Sequence, residues 1–458
     1  MQDHSENSKT SQAEPDIRFD QAVLVWLKIS LLSFGGPAGQ IAVMHRLLVD
    51  ELKWVSERRF LHALNFCMLL PGPEAQQLTI YLGWLLHRVR GGVVAGVLFV
   101  LPGALTVLLL SMVYVTYQQA MAVEAIFFGV KAAVLAIVMT ALWKLARKVL
   151  RRMLLVMITL ASFAASFVFS IPFPLVILGA AVAAFLARVA PDGEAASQPE
   201  PDEIRAIDRR VTGRGAPSRG SALRVAIICA LLWLAPVFVL YGWLGAGHVY
   251  TQQGLFFSQV AVVTFGGAYA VLSYMAQQTV GHYGWLSAGE MLDGLGMAET
   301  TPGPLIMVTQ FVGFIGAYRS PGSLDPMLAG TLGALVTTWV TFAPCFLWIF
   351  LGAPFIESLR GNRVLATALT GITAAVVGVV LNLALWFGLR VMFGELVEVE
   401  LPITGSTMEL PAIASFDPLA SAIAVSAFLA VSLFRVSMIK VLGVSACTGL
   451  ALGSVGLV

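Results

Sequence analysis

The sequence predicts an all-α polytopic membrane protein made of two inverted-topology repeats with broken or re-entrant helices, plus one extra connecting transmembrane helix. Three observations lead there. Hydrophobic residues make up 58% of the chain and charged residues only 12%, about half the charged share of an ordinary soluble domain. The apolar runs are continuous over the ~20 residues a bilayer demands and do not alternate, which selects helices over a barrel. A pattern of Gly, Pro and Trp occurs twice at a constant offset of 231 residues: Phe34-Gly35-Gly36, Trp54 and Pro71-Gly72-Pro73, then Phe265-Gly266-Gly267, Trp285 and Pro302-Gly303-Pro304. Met44/Met275, Ser56/Ser287 and Leu64/Leu295 match at the same offset. A duplicated unit whose apolar segments are interrupted by Gly and Pro at corresponding places points to a transporter with its site between the repeats.

Residues 1–20 are polar and read as a disordered tail. They lack a basic stretch followed by an apolar core, so no cleavable signal peptide is expected. The first repeat covers 21–189. Its segment 22–36 is apolar and stops at Phe34-Gly35-Gly36, and 38–49 resumes as a more amphipathic helix; a re-entrant hairpin and a long tilted helix both fit. Residues 50–59 are charged. The pieces 60–70 and 74–87 flank Pro71-Gly72-Pro73, each too short to span, and longer segments follow at about 92–117, 121–143, 152–170 and 172–189. Residues 190–221, rich in Pro, Gly, Ser and charge, form a linker. Residues 222–244 are the connecting transmembrane helix. The second repeat covers 245–458, with long segments at about 326–355, 364–393, 418–434 and 437–458.

Lys and Arg set the expected orientation. Arg88, Arg90, the basic turn Lys144–Arg152 and the linker arginines mark cytoplasmic loops, while the 118–124 turn carries Glu124 and no cation. In the second half the acidic loop 394–417 is placed outside, and Arg360, Arg363, Arg435 and Lys440 inside. Corresponding loops then lie on opposite sides, and the helix at 222–244 supplies the odd crossing. The N-terminus and linker are expected in the cytoplasm and the C-terminus outside. Arg319 falls at the outer face, against the trend.

The chemistry is expected at the breaks. Pro-Gly-Pro cannot continue a helix, and proline suits the first turn of the next one. Half-helices should therefore start near 73 and 304, presenting unpartnered amides and the positive dipole end, an anion site that needs no basic side chain. A plain packed kink is the alternative. Adjacent glycines at 35–36 and 266–267 permit close backbone approach, either to a ligand or to a neighbouring helix. Glu74 follows the first Pro-Gly-Pro and Glu299 precedes the second. An intramembrane carboxylate is costly and marks function, so both are candidates for proton coupling, Glu299 ahead because Glu74 can instead stabilise a helix N-terminus. Gln76, Gln77, Thr301, Asn65, Thr79, Thr300, Thr309 and Gln310 cluster around the breaks as hydrogen-bond donors. Lys28, Lys131 and Arg319 are the cations nearest apolar segments; Lys131 either balances an anion or pairs with a carboxylate.

No P-loop, zinc-protease or Ser-hydrolase signature occurs, and the scattered Cys and His residues make no metal-spaced set. The chain is expected to be no enzyme, to need no cofactor or metal, and to bind no nucleic acid. The doubled FGG…W…PGP pattern resembles the long, two-domain form of the chromate ion transporter family, over about 22–189 and 254–458. That resemblance implies chromate efflux across the bacterial inner membrane, driven by the proton-motive force and giving chromate resistance. Sulfate, another tetrahedral dianion, is the alternative substrate, and an anion channel the alternative mechanism. Chromate, sulfate, protons, the lipid bilayer and a second copy of the chain are the expected partners. After its glycines the second half has Ala268-Tyr269 where the first has Pro37-Ala38, so the two sides of the site need not be equivalent.

Overall fold

The computed structural model describes residues 17–34, 36–189, 219–265, 268–353, 363–400 and 407–457. Most of the expected tail and linker, and the glycines Gly35, Gly266 and Gly267, lie outside the described residues. The first half holds α1 (Phe19–Leu32), α2 (Gly36–His45) running into a π turn (Arg46–Glu51), α3 (Glu57–Cys67), α4 (Glu74–Tyr117), α5 (Met121–Val149), α6 (Met153–Phe167) and α7 (Phe173–Leu186). After α8 (Arg219–Leu244) come α9 (Val249–Val263), α10 (Ala268–Ala276) with a π turn (Gln277–His282), α11 (Ala288–Thr300), a 3-10 turn (Leu305–Met307), α12 (Val308–Arg319), α13 (Pro326–Gly352) and α14 (Arg363–Met392). A two-stranded hairpin, β1 (Leu396–Glu400) and β2 (Thr407–Pro411), precedes α15 (Pro418–Ser432) and α16 (Met438–Ser454).

This is an all-α polytopic membrane protein. Among the described residues, five helices are long and apolar enough to cross a bilayer: α4, α5, α13, and the stretches Leu223–Leu244 of α8 and Val364–Met392 of α14. The segments read as 152–170 and 172–189 shorten to α6 and α7, because Ser170 takes a positive φ of 51° and Pro172 starts the next helix. Helices of 15 and 14 residues reach only about 22 Å at 1.5 Å per residue, short of the ~30 Å hydrocarbon core.

The repeated sequence pattern produces repeated local structure. Both π turns fall at the same offset and close in the same way. The amide of Trp54 donates to Leu48 O at 2.8 Å, and that of Trp285 to Thr279 O at 2.9 Å. Ser56 and Ser287 then cap α3 and α11, accepting from the amides of Arg59 and Glu290, as capping hydroxyls do. The two Trp residues of the pattern thus shape the approach to each break.

Each half-helix after a Pro-Gly-Pro folds back on the long helix that follows. In α4 the helical path breaks at His87 and Arg88, where φ is −134° and 56°. Gly83 lies so close to the arm beyond the break that a Cβ there would stand 2.7 Å from that of Ala95. In the second half Gly313 of α12 meets Gly333 and Thr337 of α13 in the same manner.

The outer helices are exchanged between halves. α5 packs on α15 and α16, and α14 packs on α6 and α7, while α5 and α14 also touch. Thr159 of α6 donates to Ala374 O of α14 at 2.7 Å. α8 leans on α9 and α13 and leaves most of its apolar side chains, Leu231, Phe238 and Trp243 among them, facing outward, as a lipid-facing helix does. The loop read only as acidic, 394–417, folds into the hairpin β1–β2. The alternation Val397-Glu398-Val399-Glu400 is its signal. Its Glu409 pairs with Arg390, whose guanidinium lies 3.9 Å from the centre of the Trp386 ring.

Candidate functional site

Pro71-Gly72-Pro73 and Pro302-Gly303-Pro304 both interrupt the helical path, with Gly72 at φ 121° and Gly303 at φ 100°, a region only glycine enters at low cost. Each break is held by the other half of the chain. The Gly72 amide donates to Thr264 O at 2.8 Å, and the Gly303 amide donates to Ser33 O at 2.9 Å. Ser33 and Thr264 are repeat counterparts, and each stands immediately before an FGG motif. The two bonds therefore connect all four motifs into one reciprocal crossing.

The half-helices start as the prolines dictate, with one difference. α4 begins at Glu74 directly after Pro73. The second begins as the 3-10 turn 305–307 and becomes α-helical only at Val308, so the expected start near 304 is correct in place and different in kind. At both starts the first amides have no intrahelical acceptor.

Around the crossing sits a set of buried amide and carboxyl side chains. Gln40 donates through Nε2 to Gly303 O at 2.6 Å. Gln77 donates to Pro71 O at 2.6 Å, and Gln310 to Ala104 O at 2.9 Å. Gln76 is fully buried, and neither its oxygen nor its nitrogen has a hydrogen-bond partner among the described residues. The Oε1 atoms of Gln40, Gln77 and Gln310 are likewise buried and unpartnered. Native interiors keep such orphans rare and place them where function needs them. Truncating Gln40 to Leu is expected to leave Gly303 O unsatisfied at a cost of ~1–3 kcal/mol, read as a lower thermal unfolding midpoint of the detergent-purified protein.

Glu299 is 2% exposed and lies at the end of α11, just before the second break. Tyr269 donates to its Oε1 at 2.6 Å, and Oε2 accepts no hydrogen bond from the described residues. The Tyr269 hydroxyl in turn lies 3.9 Å from where a Cβ on Gly36 would stand. The first FGG motif, the second residue after the second motif, and the second break thus meet at Glu299. Glu74 differs: half-buried, it occupies the first turn of α4, where a carboxylate favours the helix N-terminus.

Other expected members are placed as follows. Thr301 is buried beside the second break and donates to Ala298 O at 3.4 Å. Phe34 and Phe265 are half-buried at the ends of their breaks. Thr79, Thr300 and Thr309 turn back to backbone carbonyls of their own helices. Asn65 and Lys28 are exposed and stand apart from the crossing. Lys131 is paired: its Nζ lies 3.3 Å from Asp293 Oδ1. Arg319 is paired as well, 2.6 Å from Glu290 Oε1. Sequence reasoning missed Gln40, Tyr269 as a partner of Glu299, and Asp293. Only the Ala268-Tyr269 pair after the second glycines, where the first half has Pro37-Ala38, was a visible signal.

Repeat counterparts also stand at opposite ends of one long helix. Arg88 begins the long arm of α4, whereas its counterpart Arg319 lines a cavity with Tyr114 and Gln118 at the other end, roughly 40 Å away at 1.5 Å per residue.

The family described as "Chromate transporter" matches residues 21–185 and 251–450. The chain is 29% identical over 367 residues to a probable chromate transport protein of Synechococcus elongatus, covering 80% of this chain and 84% of that one. It is 29% identical over 367 residues to a chromate transport protein of Cupriavidus metallidurans, with 80% and 82% covered. A chromate transport protein of Pseudomonas aeruginosa is 29% identical over 382 residues, 82% of each chain. No solved structure matches the chain.

Proposed function

The chain belongs to the chromate transporter family, and from that premise we propose that it exports chromate from the cytoplasm as a secondary transporter coupled to the proton-motive force. The observation that carries this reading is the reciprocal crossing of Gly72 with Thr264 and of Gly303 with Ser33. It sets two helix starts with free amides inside a shell of buried Gln side chains, the environment a desolvated dianion requires. In this reading amides and helix dipoles carry the recognition. Broken helices at a repeat interface serve other transporters in this way.

In the proposed arrangement the halves insert as inverted repeats of a bacterial inner-membrane protein, with the tail and linker cytoplasmic and the C-terminus outside. The opposite placement of Arg88 and Arg319 along α4 supports the inversion. Glu299 is the proton carrier, and Tyr269 positions it. Glu74 is the weaker candidate, its place at a helix start giving it a structural role. Chromate and sulfate share shape and charge, so a site of amides binds both.

Labelled chromate flux in inverted vesicles, with and without a proton gradient and with sulfate as competitor, tests the reading. Gradient-dependent uptake into inverted vesicles is expected, inhibited by sulfate. Flux indifferent to the proton gradient would make the protein an anion channel.

A further inference from the structure

A second polar site lies away from the crossing. A cavity of about 320 Å³ opens between the ends of α4, α5, α11 and α12, where Gln118 and Glu124 stand. At about 30 Å³ per water it has room for an oxyanion with part of its hydration shell. Asp293, one of its wall residues, is 4% exposed. Tyr114 donates to Asp293 Oδ2 at 2.8 Å. Oδ1 faces Lys131 Nζ at 3.3 Å but accepts no hydrogen bond. Tyr114 and Lys131 belong to the first half and Asp293 to the second, so the cluster bridges the repeats.

The neighbouring carboxylate is bound differently. Glu290 accepts the Ser287 amide on Oε2 and Arg319 on Oε1, so both of its oxygens are used. Asp293 instead holds on Oδ1 the ammonium of Lys131, 3.3 Å away, a side chain that is 31% exposed and reaches into the cavity. Gly289, at the start of α11, lies beside that ammonium: a Cβ there would stand in ordinary contact, 3.6 Å from Lys131 Nζ. An ammonium at a helix N-terminus is unfavourably placed unless a negative group accompanies it. Ionised Asp293 is that group in this structure, and a dianion can take its place.

We propose that Lys131 is a peripheral binding point for a doubly charged tetrahedral oxyanion, released from Asp293 when Asp293 takes a proton on Oδ1. The inference rests on the reading of the chain as a proton-coupled oxyanion transporter. On the acidic side of the membrane, protonated Asp293 frees Lys131 to receive the departing anion. When Asp293 loses the proton it reclaims Lys131 and expels the anion. The charged and titratable groups around Asp293 are Tyr114 of α4, Lys131 and Glu124 of α5, Glu290 of its own helix and Arg319 of α12. Of the described side chains on the other helices packed on α11, Arg390 of α14 is held by Glu409 and Lys440 of α16 lies in a separate groove.

Equilibrium binding of labelled chromate and labelled sulfate to the full-length protein in nanodiscs, across acidic to alkaline pH, tests this. In the wild type a weaker component of binding should strengthen on acidification, by up to about tenfold per pH unit. Asp293→Asn should make that component independent of pH and keep it at alkaline pH. Lys131→Gln should remove it, with Lys131→Arg restoring it, while binding at the crossing persists in all three. Tyr114→Phe, which keeps the packing, should shift the pH midpoint without abolishing binding. Saturable binding with the same pH profile in wild type, Asp293→Asn and Lys131→Gln overturns this site alone. Absence of any anion binding to the wild type overturns the transport reading and this site with it.

Discussion

Replacing Gly303 by Ala is expected to abolish gradient-driven chromate flux. Two costs combine. At φ 100° an L-residue is strained by ~1–3 kcal/mol. The new methyl would also stand 3.2 Å from Gly103 Cα, a backbone atom of α4, so the strand of chain carrying Pro302 and Pro304 must shift. A shift of that segment strains the bond to Ser33 O and displaces the carbonyl that Gln40 holds. Gly322→Ala is the control: it too has a positive φ, 59°, but a Cβ there meets nothing. Gly322→Ala should pay strain alone and keep its flux. Wild-type flux in Gly303→Ala vesicles would remove the crossing from the mechanism.

Glu299→Gln is expected to separate transport from its driving force. Glutamine keeps the shape and still accepts from the Tyr269 hydroxyl, but it cannot ionise. Net accumulation driven by a proton gradient should fall at least about tenfold, the loss equivalent to ~1.4 kcal/mol or more, whereas chromate–chromate exchange across the vesicle membrane continues. The sign in pH follows from the proposed direction: acidifying the outside loads the carrier, so wild-type flux rises with external acidity and the Glu299→Gln profile is flat. Tyr269→Phe should lower flux less, because it removes one hydrogen bond from a group that still titrates. Gradient-driven accumulation persisting in Glu299→Gln would end the case for this carboxylate as carrier.

Much of this was legible before any coordinates. Apolar runs of bilayer length foretell the long helices, and the doubled Gly/Pro pattern foretells where they break. Glu299 declares itself because a carboxylate is rare in such company. The remainder needs three dimensions. Gln40 is one amide in an amphipathic stretch, and its partner Gly303 lies in the other half of the chain. Asp293 sits in the moderately polar run 288–300, which reads as interfacial until α11 is seen packed between α5 and α12. The segments 152–170 and 172–189 overran α6 and α7 because Val168, Phe169, Ala187 and Val189 continue the apolar pattern past the helix ends. The hairpin at 396–411 was hidden by counting its charges without noting their alternation.

The two bonds at the crossing also have a mechanical meaning. Ser33 to Gly72 is one arc of chain and Thr264 to Gly303 another of equal length, and the bonds from Gly72 to Thr264 and from Gly303 to Ser33 close them into a single ring. A ring has no independent links. Each junction ties the break of one half to the approach of the other half's FGG motif, so a displacement of either half in the proposed transport cycle would bear on both helix starts.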